Sequence, residues 1–147
     1  DNYYVKFVAP NGYVISLQDR GAEHNDSDAN GTFTTTGQTV GYELSTGEDN
    51  RSVDAGFFEP ASIGDRTWID LNGNGVQDAT ETNLTDVNVT LWYESNDTQV
   101  KKDINGTTFG TAGTITTNAT GYLFDNLRPD NYYVKFVAPN GYVISLQ

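Results

Sequence analysis

Residues 70–81 read Asp-Leu-Asn-Gly-Asn-Gly-Val-Gln-Asp-Ala-Thr-Glu. Oxygen-bearing side chains fall at alternate places, Asp70, Asn72, Asn74 and Asp78, with Glu81 closing the run and Val76 offering its main-chain carbonyl. Such a donor set suits a hard divalent cation. Ca2+ takes roughly six to eight oxygens at about 2.3–2.6 Å, and a curled twelve-residue loop turns alternate residues inward to supply them. Gly75 stands in the middle, where the sharp turn calls for positive φ. Three carboxylates more than neutralise the ion and repel one another without it, so order in the loop should be coupled to binding. A merely glycine-rich hairpin turn has no need of Asp70, Asp78 and Glu81 at these intervals.

Asp26, Asp28 and Asn30, followed by Gly31, copy the first half of this pattern, but Gly37 occupies the place of the terminal Glu. They form a candidate second metal site, with an acidic solvated loop as the alternative. Asn-x-Ser/Thr sequons begin at Asn25, Asn30, Asn50, Asn83, Asn88, Asn96, Asn105 and Asn118. Eight exceed what composition alone produces and point to N-glycans on a secreted surface, compositional bias toward Asn and Thr being the alternative. Catalysis has little to stand on. Cysteine is absent, no Ser sits in a nucleophile elbow, and the single His24 lies in a polar acidic stretch. The paired carboxylates that a glycosidase needs are accounted for by the cation spacing, so the chain is expected not to be an enzyme.

The elements that must position these groups show a two-residue period. Val87-Asn88-Val89-Thr90-Leu91 alternates apolar and polar; Tyr132, Val134 and Phe136 share one face with Tyr133 and Lys135 opposite; Gly121-Tyr122-Leu123-Phe124 is similar. Alternation of this kind marks half-buried antiparallel strands, and the Asn-Gly pairs at 11–12, 30–31 and 140–141 read as turns. No helical apolar stripe is present, and the reading is all-β, built as β-sandwiches. Residues 52–59 read as a closing strand and 62–70 as an opening one, with Pro60 and Ala61 between them.

Residues 1–18, DNYYVKFVAPNGYVISLQ, return unchanged at 130–147, 129 residues further on. A domain-sized period implies beads in tandem rather than a solenoid. Residues 1–60 are therefore read as the C-terminal part of one repeat unit and 61–147 as the N-terminal part of the next. The net charge of −12 repels phosphate backbones and anionic lipid, which argues against nucleic acid and against membrane contact within this segment.

Together these residues resemble the B-repeat (SdrD B-like) domains of the serine-aspartate-repeat adhesins, in the Cna B-type superfamily. The resemblance rests on Ile63-Gly64-Asp65, Trp68, Asp70-Leu71-Asn72, Gly75, Gln77-Asp78, the Val87–Leu91 strand, Thr116-Thr117, Gly121–Phe124, Leu127-Arg128-Pro129, Tyr132–Phe136, Pro139, Gly141-Tyr142 and, from the preceding unit, Asp54-Ala55-Gly56-Phe57. It implies a Greek-key, prealbumin-like β-sandwich that binds Ca2+ and serves as a stalk segment. Some B-type relatives carry a Lys–Asn isopeptide cross-link. None of Lys6, Lys101, Lys102 or Lys135 reads as a buried Lys at the start of an opening strand, so none is expected here.

The expected function is a calcium-stabilised structural repeat of an extracellular surface protein, forming a rigid stalk or the body of a cell-surface filament. Its partners would be neighbouring identical units, along one chain or through strand exchange between chains. The alternative is an adhesive module that recognises a host protein or glycan through exposed aromatics such as Tyr93, Tyr133 and Tyr142.

Overall fold

A computed structural model describes residues 1–22 and 25–145; His24 lies outside them. Two compact units divide the chain, Asp1–Pro60 and Ala61–Gln147. No helix occurs among the described residues.

In the first unit the strands are short: β1 (Asn2–Tyr3), β2 (Lys6–Val8), β3 (Val14–Ile15), β4 (Thr36–Gln38), β5 (Tyr42–Glu43) and β6 (Phe57–Phe58). The strands pair antiparallel, β1 with β5, β2 with β4 and β3 with β6, and Gln18 and Ser27 add an isolated parallel bridge. Ile15 is fully buried, and the rings of Phe7 and Phe57 meet edge to face at 6.5 Å. The closing strand anticipated over 52–59 is confined to Phe57–Phe58. Upstream, the Asp54 main chain is held by Asp28: Asp28 N–H donates to Asp54 O at 3.0 Å and Asp54 N–H to Asp28 Oδ2 at 2.8 Å. A side chain thus supplies what a ladder would otherwise provide.

The second unit is a two-sheet β-sandwich. Its elements are β7 (Ala61–Asp65), β8 (Asn88–Tyr93), β9 (Gln99–Val100), β10 (Thr114–Thr116), β11 (Tyr122–Leu127) and β12 (Tyr132–Val137). β8 pairs with β12 along one edge and with β10 and β9 along the other; β7 and β11 make the second sheet. The chain therefore changes sheet from β10 to β11 and again to β12, as a sandwich with crossing connections requires. Val89 and Leu91 from β8 and Phe124 from β11 are fully buried, Leu127 nearly so, and Ile63, Ile115, Tyr132 and Val134 pack against them. Each fully buried aliphatic side chain stabilises the fold by about 1.5–3 kcal/mol. The alternation read over 87–91 is the alternation of this core; over 132–136 it holds for Tyr132 and Val134, whereas Phe136 is 38% exposed and meets only the edge of Tyr122. Gly64 permits the close approach of β7 to β11, since a Cβ there would lie 2.2 Å from Tyr122 O.

The opening strand stops at Asp65 rather than running to residue 70. Beyond it the chain pairs with a different partner, Trp68 bridging to Asn83. After β11, the Tyr132 hydroxyl reaches back and donates to Arg128 O at 2.7 Å, a corner that fixes the entry to β12. Burial pushes the Tyr132 hydroxyl up to about 12; nearby Tyr93 and Asp130 push the same way, and Arg128 opposes them. An unfolded tyrosine titrates near pH 10. This group's contribution is therefore complete below about pH 10 and is lost as pH rises toward 12. Tyr132→Phe should cost about 1 kcal/mol at neutral pH through the lost hydrogen bond. It should also flatten the fall in thermal stability between about pH 10 and 12, which calorimetry across that range would register.

Candidate cation loop and its support

The ends of the 70–81 loop are drawn together by a short antiparallel stem. Ile69 N–H donates to Thr82 O at 2.9 Å and Leu84 N–H to Thr67 O at 2.7 Å. The stem hangs from the sandwich through two threonine hydroxyls. Thr67 Oγ1 donates to Leu84 O at 2.6 Å and lies 3.3 Å from Thr117 Oγ1. Thr117, itself buried, donates to the same carbonyl at 3.2 Å and accepts Val87 N–H at 3.1 Å. Val87 leads directly into β8, so the loop is tied to the strand that organises the core.

Within the loop every carboxylate engages the main chain or an Asn amide. Asp70 Oδ1 accepts from Gly73 and Asn74 N–H at 2.8 and 3.2 Å, and its Oδ2 from Gly75 N–H at 2.9 Å. Glu81 spans the loop with both oxygens, taking Leu71 N–H at 2.8 Å and Asp78 N–H at 3.0 Å. Asn72 and Asn74 accept from Asn74 and Val76 N–H through Oδ1, while their amide nitrogens donate to Asp78 Oδ2 at 2.8 and 3.3 Å. Gly75 has φ +78°, the left-handed turn for which glycine is suited. The Ser145 hydroxyl, followed by the Gly75 amide, holds the Asp70 carboxyl below its usual value; desolvation opposes them, and the Gly73 and Asn74 amides add to the lowering.

Polarity in the loop is inverted relative to an ordinary surface turn. Asp70, Asp78 and Glu81 are half-buried, whereas Leu71 is 72% and Val76 59% exposed. The hydrophobic effect alone would place the apolar side chains inward. Oxygen donors are what a hard cation requires, and the carboxylates of Asp70, Asp78 and Glu81 with the carboxamide oxygens of Asn72 and Asn74 fit Ca2+ by that chemistry, although the Asn72 and Asn74 amide nitrogens here turn to Asp78. Among the described residues no group of three or more Asp, Glu, His or Cys side chains is gathered closely enough to form a metal cluster by itself. In this loop the carboxamides of Asn72 and Asn74 stand between the acids.

In the second acidic segment the side chains serve separate backbone partners. Asp26 Oδ2 takes Gly21 N–H at 2.8 Å, Asp28 takes Asp54 N–H, and Asn30 Oδ1 takes Gln38 N–H at 3.1 Å. Seven of the eight sequon asparagines are exposed; Asn83 is half-buried and donates its Nδ2 to Ala119 O. At Asn50, Asn96 and Asn118 the Oδ1 accepts both the N–H and the hydroxyl of the sequon Ser or Thr. Of the aromatics weighed as sugar platforms, Tyr93 faces the core and Tyr142 is exposed. Tyr133 stacks on Trp92, with Lys135 Nζ 3.7 Å from the Trp92 ring centroid.

The model of the SdrD B-like domain family matches residues 1–57 and again 61–147. The chain belongs to the SdrD B-like domain family. It is 37% identical over 96% of its length to serine-aspartate repeat-containing protein F of Staphylococcus epidermidis. The same identity holds over 97% of its length to the bone sialoprotein-binding protein and to serine-aspartate repeat-containing protein E of Staphylococcus aureus. The chain spans 7% of the first of these relatives and 11% of each of the other two. The SdrD B-like fold is of the Cna B kind, in keeping with the sandwich described above.

Sequence reasoning did not single out Thr67, Thr117 and Ser145 as supports of the loop. Thr116-Thr117 was visible only as part of the family pattern, and nothing local marks which hydroxyl turns inward. Thr117→Val keeps the shape of the side chain but leaves Val87 N–H without its acceptor. A loss of about 1–3 kcal/mol is expected. The amides of Ile69 and Leu84 should also exchange faster, and amide hydrogen exchange followed residue by residue would detect it.

Proposed function

We propose that this chain is a calcium-braced structural repeat of an extracellular surface protein, its sandwich units forming a rigid stalk or the body of a cell-surface filament. The carrying observation is the inverted polarity of the 70–81 loop, acids inward and Leu71 and Val76 outward. Asp70, Asn72, Asn74, Asp78 and Glu81 would hold the ion with the Val76 carbonyl, and Ca2+ would supply the positive charge that the three half-buried carboxylates lack. The chain's own contribution is to curl the loop around Gly75, to close it with Glu81 and to fasten it through Thr67 and Thr117 to the strand at the centre of the core. Stiffening a loop joined in this way stiffens the whole unit. Exposed sequons suit an extracellular, glycan-bearing surface, and the second acidic segment at Asp26, Asp28 and Asn30 is left as a weaker candidate for a cation.

Adhesion is the less favoured reading. One relative is named for binding bone sialoprotein, but the chain spans 11% of that protein. The Trp92 ring, whose face a stacked ligand would need, is capped by Lys135. The carboxylates are assigned to a cation rather than to catalysis, which is why no reaction is proposed.

Thermal unfolding in calcium and in chelator tests the proposal. A ligand at about a hundred times its Kd stabilises by about 2.7 kcal/mol. For a domain of this size that corresponds to a Tm higher by roughly 10–20 °C in calcium. Glu81→Gln should remove much of the difference, and because it gives up one of the two main-chain acceptors the chelator curve should also fall, by about 1 kcal/mol. Superimposable curves in calcium and in chelator would exclude the structural ion.

A further inference from the structure

Six Asn-Gly pairs occur in the chain, and three of them, Asn72-Gly73, Asn74-Gly75 and Asn105-Gly106, lie between β7 and β10 of the second unit. The pair has a chemistry of its own. With no Cβ on the following residue, the glycine main-chain nitrogen can swing onto the Asn Cγ and close a five-membered ring. Asparagine counts among the thermolabile residues for this reason. The reaction needs two freedoms. The carboxamide must be able to turn toward the main chain, and the glycine nitrogen must be able to leave its own hydrogen bond. All three asparagines are exposed, so access of water does not separate them. Their hydrogen bonds do.

In the 70–81 loop both freedoms are taken. Asn72 Oδ1 accepts Asn74 N–H at 3.0 Å while its Nδ2 donates to Asp78 Oδ2 at 2.8 Å. Asn74 likewise accepts Val76 N–H at 2.7 Å and donates to the same Asp78 oxygen at 3.3 Å. Asp70 holds the two attacking nitrogens, Gly73 N–H donating to its Oδ1 at 2.8 Å and Gly75 N–H to its Oδ2 at 2.9 Å. Asn105 stands in the turn between β9 and β10. Asp103 Oδ1 takes the Asn105 and Thr107 N–H groups at 2.9 and 2.8 Å, but among the described residues the Asn105 carboxamide has no hydrogen-bond partner. Gly106 N–H makes one bond, to Asp103 O at 3.1 Å. Gly106, at φ +83°, borders open space, since a Cβ there would meet nothing within 4 Å.

We propose that Asn105 is a site of spontaneous deamidation, and that the bonds from Asp70 and Asp78 keep Asn72 and Asn74 out of the same reaction while their loop is closed. Gly106 N bonds to Asn105 Cγ, the Cγ–Nδ2 bond breaks, and the departing nitrogen takes the Gly106 N–H proton and leaves as ammonia. Water then opens the succinimide. Cleavage on the side-chain side yields aspartate at position 105, and cleavage on the main-chain side yields isoaspartate. Either product adds a negative charge, and isoaspartate lengthens the main chain of the turn by one methylene. Residues 105–107 are also one of the sequons. An N-glycan would be attached to the same nitrogen that leaves as ammonia, so the two modifications exclude one another at this position. In the loop, the reaction waits on local opening. The inference rests on the hydrogen bonds of the loop and not on an ion.

Peptide mapping by mass spectrometry tests this on the folded 147-residue chain, produced without glycans and incubated at mildly alkaline pH and one fixed calcium level. The mass change of amide to acid should accumulate at Asn105 roughly tenfold or more faster than at Asn72 or Asn74, because each bond that must open holds the reaction back by up to about tenfold. In urea the three rates should converge. Asp70→Ala frees both glycine nitrogens and should raise the rates at Asn72 and Asn74 while leaving that at Asn105 in place. Loop asparagines that convert as fast as Asn105 in the folded chain would overturn the proposal, as would an Asn105 that stays intact when folded yet converts in urea. Loop rates indifferent to Asp70→Ala would overturn the protective role of Asp70. The comparison of folded chain with urea stands even where that variant fails to fold. Calcium is constant throughout, and the calcium reading is decided by Tm, so either can fail alone.

Discussion

One buried hydroxyl joins the two halves of the second unit's architecture. Thr117 Oγ1 satisfies Val87 N–H at the mouth of β8 and Leu84 O at the base of the loop stem. An unsatisfied polar group at that depth costs about 1–3 kcal/mol, so the stem and the strand cannot easily part. β8 in turn is the strand with partners along both edges, and it carries Val89 and Leu91 into the core. The loop is therefore an extension of the most constrained strand in the unit rather than an appendage. An event that orders residues 70–81 is felt where the apolar packing is densest.

This coupling explains how a solvent-facing loop can matter to the stability of a small sandwich. The core of the second unit is thin, and the chain has no cysteine with which to cross-link it. A domain of this size buries a modest fraction of its surface, and small domains commonly recruit a metal or a cross-link to compensate. The acidic loop fits that need by chemistry. Its half-buried carboxylates are tolerated because each accepts N–H groups from the main chain or from an Asn amide. Asp70, with three main-chain donors and the Ser145 hydroxyl, stays ionised below the usual range. Backbone dipoles offset part of the repulsion among them, and under the proposed function a cation would offset the rest.

Much of the sandwich was legible because its signal is local. The two-residue period over 87–91 and at Tyr132 and Val134 reports which side chains join the core around Phe124, and the same period sends Trp92, Tyr133 and Lys135 to the outer face; Phe136, on the inward side of that pattern, is exposed instead. Strand ends were less legible because partners remote in sequence set them. β7 stops at Asp65 when Trp68 turns to Asn83, and the stretch before Phe57 is held by the Asp28 carboxylate. In the loop, the spacing of Asp70, Asn72, Asn74, Asp78 and Glu81 was readable as a donor pattern. The role of Thr117 was not, because a threonine at the end of a polar strand looks the same whether its hydroxyl meets water or a buried amide.

The duplicated segment carries that lesson furthest, since identical residues acquire different surroundings. Val14-Ile15 and Val143-Ile144 have the same side chains and the same immediate neighbours in sequence, yet Ile15 is fully buried and Ile144 is 66% exposed. Local propensity cannot distinguish them; the partners around Ile15 do, with Phe57 beside it, Thr34 and Phe33 bonded to its main chain and Gly37 against its side chain. β-Strand stability resides in cross-strand pairs rather than in the strand itself.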